Sequence, residues 1–166
     1  MTGRLQAELK QSKPFASLEV EAYLNILRTA DVLERMVVGW LKPFDLTPSQ
    51  YNVLRILRGA AAAGLPCGEI GARMVTHDPD VTRLIDRLMQ RDLVVRGRDD
   101  HDRRVVLVRI TASGMELLAR CDLAAENDPF THPLARLGQE GLATLIDLLE
   151  EVRAASAPAQ PPAPAR

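Results

Sequence analysis

The chain has 166 residues, of which 46% are hydrophobic and only 4% are aromatic, and its net charge is −1. This length suggests one domain, or one domain with an attached oligomerisation element. The charge balance argues against a protein that coats nucleic acid without selectivity, so a nucleic-acid binder of this composition must concentrate its cations locally. The sequence has no run of about 18 apolar residues and no apolar signal segment at its start, which predicts a cytoplasmic protein without a membrane span.

The sequence carries no motif of an enzyme, metal site or cofactor site. Cys67 and Cys121 lack metal-ligand spacing, which predicts ordinary reduced thiols. A nucleophile elbow, a Gly-rich phosphate loop and a metal-binding pair are all absent, and the three histidines are scattered along the chain. We therefore expect a protein that is not an enzyme and that uses no cofactor and no metal.

The N-terminal part of the chain predicts a flexible segment followed by a long helix. Residues 1–13 are polar, and residues 1–16 are expected to be flexible. Apolar residues then recur at steps of three and four from about Ser17 to Leu41, which indicates an amphipathic helix. Pro43 ends this helix.

Two shorter helices are predicted next. Thr47 fits the N-cap of the first, with Pro48 at the first helical position and Gln50 completing a capping box. The second is expected from about Pro66 to Met74. The first of these helices is expected to bury Tyr51, Val53, Leu54 and Leu57.

An amphipathic helix with cations on its outer face is predicted from Pro79 to Arg91, with Asp78 as its N-cap. At about 100° per residue, one face is apolar and the opposite face is polar. The polar face suits a DNA groove, but it is also typical of an ordinary solvated helix. The apolar face holds Val81, Leu84, Ile85 and Leu88. The polar face holds Arg83, Asp86, Arg87 and Gln90, flanked by Thr82 and Arg91.

A hairpin with a charged tip follows this helix. The residues 94–95 and 105–110 alternate well enough for two antiparallel strands. An Asp two residues before an Arg in a tight hairpin can hold that guanidinium, which predicts that Asp102 orders Arg104 for a narrow minor groove. The alternative is a charged tip that only keeps the sheet edge soluble. The tip contains Arg96, Arg98, Arg103 and Arg104 together with Asp99, Asp100 and Asp102.

The C-terminal part predicts two further helices and a tail. Thr111 opens a helix from Ala112 to about Ala125, and residues 127–129 break it. A last helix is expected from about Leu134 to Arg153. The tail 154–166 is rich in Ala and Pro and is expected to be disordered.

These segments resemble the MarR family of bacterial transcriptional regulators. The resemblance extends over about residues 17–153 and rests on LTPSQYNVLRIL from Leu46 and on VTRLIDRLMQRDLVVRGRDDHDRRVVLVRITASG from Val81. Its most specific part is DRR at the wing, then a V-x-L-V-x-I-T strand and a Gly at the next helix start. It implies a mainly α fold with a small β wing, a winged helix-turn-helix. The implied division is a flexible N-terminus (1–16), an N-terminal dimerisation helix (17–46), a winged helix-turn-helix DNA-binding domain (47–110), C-terminal dimerisation helices (111–153) and a disordered tail (154–166).

The resemblance also implies a function and a set of contacts. It implies a homodimer that binds pseudo-palindromic double-stranded operator DNA, usually to repress transcription, and that is released by a small aromatic ligand in many members. The recognition helix would enter the major groove, and Arg104 would enter the minor groove. The candidate DNA-binding residues are Thr82, Arg83, Arg87, Arg98, Asp102, Arg103 and Arg104.

One departure from the family pattern supports an alternative function. Family members usually begin the recognition helix with small hydroxyl residues, but this chain has His77, Asp78, Pro79 and Asp80 there. An acid at position 80 could accept from a cytosine amino group, pair with a wing arginine or weaken DNA binding. The alternative is therefore a winged-helix protein-interaction module with weakened or lost DNA binding.

Two further sites are open to more than one interpretation. Trp40, Phe44 and Tyr51 are candidates for an effector pocket, and core packing is the competing interpretation. Cys67 lies near a predicted helix start, where backbone N–H groups could lower a thiol pKa, and an idle thiol is the alternative.

Overall fold

The computed structural model describes residues 4–60, 63–99, 102–124 and 133–156. The chain divides into two compact units, residues 1–129 and 130–166. No described helix is long and apolar enough to cross a membrane. The first unit contains α1 (Arg4–Glu8), α2 (Leu18–Leu41), α3 (Pro48–Gly59), α4 (Cys67–Arg73), α5 (Val81–Gln90), β1 (Val94–Arg98), β2 (Val106–Ile110) and α6 (Ala112–Leu123). The second unit contains α7 (Gly138–Ser156), preceded by a 3₁₀ turn at Ala135–Leu137.

The predicted long helix is confirmed as α2. Ser17 is its N-cap, and the Ser17 hydroxyl accepts from the Val20 backbone N–H at 3.4 Å. A 3₁₀ turn at Lys42–Phe44 follows α2 directly. Within residues 1–16, for which the sequence predicts no helix, α1 occupies Arg4–Glu8 and buries Leu5.

The capping box of α3 forms as predicted. The Gln50 backbone N–H donates to the Thr47 hydroxyl at 3.2 Å, and the Thr47 N–H donates to the Gln50 side-chain oxygen at 3.0 Å. This helix supplies the centre of the hydrophobic core, as its four predicted core residues are all buried. The core also contains Leu41, Ile70, Leu84, Ile85, Leu88, Leu93, Val94, Val108, Leu117, Leu118 and Cys121.

The wing is a two-stranded antiparallel sheet in which Val94 pairs with Ile110 and Arg98 with Val106. Strand β1 is longer than the two residues predicted, because Arg96, Gly97 and Arg98 continue the ladder. Leu65 also pairs with Val108, with N–H···O distances of 3.0 and 2.8 Å in the two directions. The segment before α4 is therefore bonded to the wing through its backbone.

Helix α5 ends in a motif that brings the chain close to α6. The Asp92 N–H donates to the Met89 carbonyl and the Leu93 N–H to the Leu88 carbonyl, which is the Schellman pattern. Asp92 adopts the left-handed conformation, with φ of 56°, that this pattern requires at its position. The Thr111 N–H then donates to the Leu93 carbonyl at 3.1 Å, so the start of α6 lies against the end of α5.

The C-terminal predictions hold in part. Helix α6 begins after the N-cap Thr111, as expected. Helix α7 begins at Gly138 rather than near Leu134, because a 3₁₀ turn precedes it. The last helix continues through Ser156, so residues 154–156 are helical rather than disordered. The predicted break at 127–129 and the tail from 157 lie outside the described residues.

Gly114 permits the close approach of α6 to the end of α5. A Cβ atom at this position would lie 2.3 Å from the Leu93 carbonyl oxygen and 2.7 Å from Ile110 Cγ1. We therefore expect Gly114→Ala to lower the free energy of unfolding by about 1–3 kcal/mol, since the backbone must shift to relieve the overlap. Urea denaturation monitored by circular dichroism measures this change.

Gly68→Ala is the matched control. A Cβ atom at Gly68 would meet no atom within 4 Å, and Ala is the better helix former. We expect this variant to be at least as stable as the parent protein. Equal loss of stability in the two variants would contradict the role given to Gly114.

Candidate nucleic-acid interface

Helix α5 presents a cationic face because its apolar face is buried. Leu84, Ile85 and Leu88 have 7% exposure or less and pack into the core, which α3 and α4 share. Since side chains repeat every 3.6 residues, burial of this face directs the opposite one to solvent. The predicted contact residues Thr82, Arg83 and Arg87 are all exposed, together with Gln90.

Asp80 is the N-cap of α5, so the prediction that Asp78 has this role is wrong. The Asp80 carboxylate accepts from the Arg83 backbone N–H at 3.0 Å. Asp78 instead accepts from the Asp80 N–H at 2.9 Å and so stabilises the turn before the helix. Pro79 precedes the cap rather than following it. The acid at position 80 thus satisfies an otherwise unpaired helix N–H and lies at the positive end of the helix dipole.

A salt bridge joins α5 to the wing. Arg96 on β1 lies 2.6 Å from the Asp86 carboxylate on α5, and its guanidinium also donates to the Thr82 carbonyl at 3.4 Å. Both side chains are partly exposed, so the pair contributes about 1 kcal/mol or less to stability. The pair nevertheless matters for the geometry of the surface, because it holds the wing strand beside the exposed face of α5.

Carboxylates order the backbone of the wing tip. The Asp102 N–H donates to the Asp99 carboxylate, and the Arg104 N–H donates to the Asp102 carboxylate, both at 2.9 Å. The sequence predicts that Asp102 holds the Arg104 guanidinium, but the carboxylate accepts from the Arg104 backbone instead. The guanidinium of Arg98 donates to the Arg103 carbonyl at 2.9 Å across the hairpin. Asp100 and His101 lie outside the described residues.

The exposed guanidinium groups lie on both parts of this surface. Among the described residues, the Arg83, Arg87 and Arg104 side chains form no ion pair with a carboxylate. Arg98, Asp102 and Arg103 are exposed as well. Helix α5 and the wing tip therefore offer cations to a ligand outside the protein, while the aspartates nearby bond to the protein itself.

Known proteins are similar to this chain in sequence and in fold. The model of the MarR family matches residues 44–105, which run from the turn before α3 to the wing tip. A MarR transcription factor from Planctomyces limnophilus, known from its crystal structure, is 38% identical with a TM-score of 0.61, and the alignment covers 82% of this chain and 98% of that one. The chain belongs to the MarR family.

Two further MarR proteins are similar to this chain. The multiple antibiotic resistance protein MarR of Escherichia coli K12 is 29% identical over 119 residues, which are 72% of this chain and 81% of that protein. The crystal structure of an E. coli MarR variant in complex with operator DNA has a TM-score of 0.73 at 26% identity, with 84% and 99% of the two chains covered. The chain is thus a MarR-family winged-helix regulator, and its relatives are transcriptional regulators rather than enzymes.

Of the three aromatic residues predicted to line an effector pocket in this MarR-family chain, Trp40 contacts both of the others. The Trp40 ring meets Phe44 at a centroid distance of 6.2 Å and Tyr51 at 5.3 Å, both edge to face. Tyr51 is buried in the core. A cleft of about 350 Å³ lies nearby, lined by Val38, Lys42, Asp45, Leu46, Thr47, Gln50 and Arg91. The aromatic contacts favour core packing, and the pocket stays a prediction.

The two cysteines differ in their surroundings. Cys121 is fully buried in α6, and burial raises the pKa of its thiol, with the neighbouring Asp122 carboxylate acting in the same direction. Cys67 is partly exposed at the start of α4. Within the described part of the chain, no group of three or more His, Cys, Asp or Glu side chains is placed to hold a metal ion.

Sequence reasoning missed two long-range contacts of this surface. One is the Arg96–Asp86 salt bridge, and the other is a link from Arg91 to the turn after α2, whose carbonyls at Phe44 and Asp45 accept from its guanidinium. The charged residues themselves are visible in the sequence. No local spacing indicates which arginine pairs with which acceptor, since the partners lie up to 47 residues apart.

The assignment of Asp80 as the N-cap has a direct consequence for stability. We expect Asp80→Ala to lower the free energy of unfolding by about 1 kcal/mol, because the first turn of α5 loses its side-chain acceptor. Asp80→Asn is the matched control and should retain most of the stability, since an amide oxygen also caps. Equal losses in the two variants under urea denaturation would count against the capping role.

The thiols should react at different rates with an aromatic disulfide reagent. We expect Cys67 to react in the native protein and Cys121 to react only after denaturant is added, because the Cys121 thiol is buried and its raised pKa disfavours the thiolate. The absorbance of the aromatic thiolate that the reagent releases follows both reactions. The Cys67→Ser variant should react only after denaturant is added, and a reaction of the native variant would contradict the assignment.

Proposed function

We propose that this MarR-family regulator binds pseudo-palindromic operator DNA as a homodimer and represses transcription. The observation that supports this most directly is the exposed cationic surface formed by α5 and the wing tip. The related E. coli MarR variant was crystallised with operator DNA, so the same fold is compatible with that ligand. Binding to the chromosome would make the cytoplasm its site of action.

In this proposal α5 enters the major groove. Thr82 and Arg83 lie in the first turn of the helix, where side chains reach base edges and phosphates in helix-turn-helix proteins. Arg87 lies one turn further along and extends the same face. In this arrangement Asp80 has a role within the protein, because its carboxylate caps the first turn of α5.

The wing tip enters the adjacent minor groove. Arg104 would insert there, and Arg98 and Arg103 would contact the flanking phosphates. The bonds through Asp102 and Asp99 order the backbone of the tip before DNA binds. Less conformational entropy is then lost when Arg104 is placed in the groove.

The homodimer is proposed from the apolar surface of two helices. In α2, Leu18, Tyr23 and Leu27 are exposed by 80%, 60% and 49%. In α7, no residue is buried, and Ile146 and Val152 are about half exposed. Exposed apolar side chains in such numbers indicate that each of these helices takes part in an interaction. A second copy of the chain would cover them and place two α5 helices on two half-sites.

Release by a small aromatic ligand is the regulation we propose, because it is typical of the MarR family. The alternative, a protein-interaction module without DNA binding, was motivated by Asp78 and Asp80. Both acids now have a local structural explanation in the turn and cap of α5. They therefore give little support to a loss of DNA binding.

Selection of bound fragments from the source genome tests the proposal. The purified protein is incubated with sheared genomic DNA, bound fragments are sequenced, and affinity is then measured by gel shift on the enriched site. We expect a pseudo-palindromic site and a log–log slope of the binding constant against salt of about −0.9 per neutralised phosphate. The absence of any shift at micromolar protein and low salt would favour the protein-interaction module.

Arg104→Ala tests the wing contact. We expect this variant to weaken operator binding by more than about 1 kcal/mol without loss of folding, because it removes one groove contact. Arg4→Ala, which removes an exposed arginine from α1, is the matched control and should bind like the parent protein. Unchanged affinity of the Arg104→Ala variant at matched salt would show that the wing assignment is wrong.

A further inference from the structure

Arg91 connects the end of α5 to the turn that follows α2. Its guanidinium donates to the Phe44 carbonyl at 3.3 Å and to the Asp45 carbonyl, and it lies 3.7 Å from the Asp45 carboxylate. Carbonyls at a helix end lack an intrahelical donor, and the helix dipole favours a cation there. Arg91 therefore caps the end of the α2 segment from a position far along the chain.

The backbone of Arg91 is itself held at the end of α5. Arg91 is the C-cap of that helix, and its N–H donates to the Leu88 and Met89 carbonyls. The left-handed Asp92 and the bond from the Leu93 N–H to Leu88 close the helix immediately after it. The side chain thus extends from a backbone position that cannot rotate without disrupting the end of α5.

The forked guanidinium adds a directional constraint that apolar packing lacks. Helix α5 packs mainly against α3 and α4, and hydrophobic burial is non-directional. Two hydrogen bonds from one rigid, planar group restrict both the distance and the angle between α5 and the turn after α2. An ammonium group would supply the charge but not this geometry.

We propose that Arg91 is a positioning residue that sets the orientation of α5 relative to α2, and thereby the separation of the two α5 helices in the dimer. This inference rests on the proposed function. In a two-fold dimer that binds DNA on one side, the recognition helices must meet major grooves about 34 Å apart. Both protomers undergo the same change in the angle between α2 and α5. Each protomer therefore contributes to the change in the separation of the two α5 helices.

The test uses the selected operator and two duplexes in which one base pair is added or removed between the half-sites. The parent protein should bind the native spacing far more tightly than either altered spacing. We expect Arg91→Gln to weaken binding at the native spacing by about tenfold, as for the loss of one charge-assisted hydrogen bond. The preference for the native spacing should shrink in the same variant, which a general loss of stability would not produce.

Two further variants separate geometry from charge. Arg91→Lys keeps the charge and should also lose spacing preference, because a single ammonium cannot bond both carbonyls in the same way. Asp45→Asn keeps both carbonyl acceptors and tolerates the left-handed conformation of that residue, with φ of 51°, so it should behave like the parent protein. If Arg91→Gln fails to fold, the spacing preference of Arg91→Lys is compared with that of Asp45→Asn, and this comparison tests the positioning role of Arg91.

Three outcomes would overturn the inference. One is an unchanged spacing preference in the folded Arg91 variants. Another is a loss of spacing preference in Asp45→Asn equal to that in Arg91→Lys. The third is a salt slope that becomes shallower by about 0.9 in Arg91→Gln, which would show that Arg91 binds a phosphate. Failure of the parent protein to bind any operator is a different result, and it would refute the proposed function itself.

Discussion

Burial of the apolar face of α5 is the constraint on which the rest of the cationic surface of α5 and the wing depends. Ile85 and Leu88 are fully buried and Leu84 nearly so, and full burial of each such side chain stabilises the fold by roughly 1.5–3 kcal/mol. These three residues decide which way the helix faces, so they also decide that the arginines of the opposite face are exposed. The core sets the rotation of α5 about its own axis. The salt bridge to the wing and the link from Arg91 to the turn after α2 are weaker interactions, and they act on the position of the helix relative to these neighbours.

The elements of the fold could largely be predicted because their signals are local. The capping box of Thr47 and Gln50 and the apolar periodicity of α5 involve residues three or four apart, and the structure has both. The prediction of Asp78 as the N-cap of α5 is wrong because Asp78 and Asp80 flank one proline, and either acid fits a cap by residue type. Bonds between distant residues, such as those of Arg91 to the turn after α2, depend on tertiary packing and have no local signal.

The charge count of the wing and α5 gives a misleading impression of this surface. The arginines and aspartates of α5 and the wing are nearly equal in number, so their charges nearly cancel, but they differ in what they contact. Asp80, Asp86, Asp99 and Asp102 accept from backbone N–H groups or from an arginine of the protein. The carboxylates therefore hold the scaffold, while the exposed guanidinium groups are left for an external partner. The hydrogen bonds and ion pairs of each side chain, rather than the net charge, distinguish the structural aspartates from the exposed arginines.

The pairing of Leu65 with Val108 makes the helix-turn-helix and the wing a single hydrogen-bonded frame. Both bonds join backbone groups, so they do not depend on the identity of the side chains on the outer surface. Substitutions on the outer surface can then accumulate without altering the frame that carries them. The segment from α3 to β2 therefore has the properties of an exchangeable cassette, in which a few outward side chains can change while the backbone frame is kept.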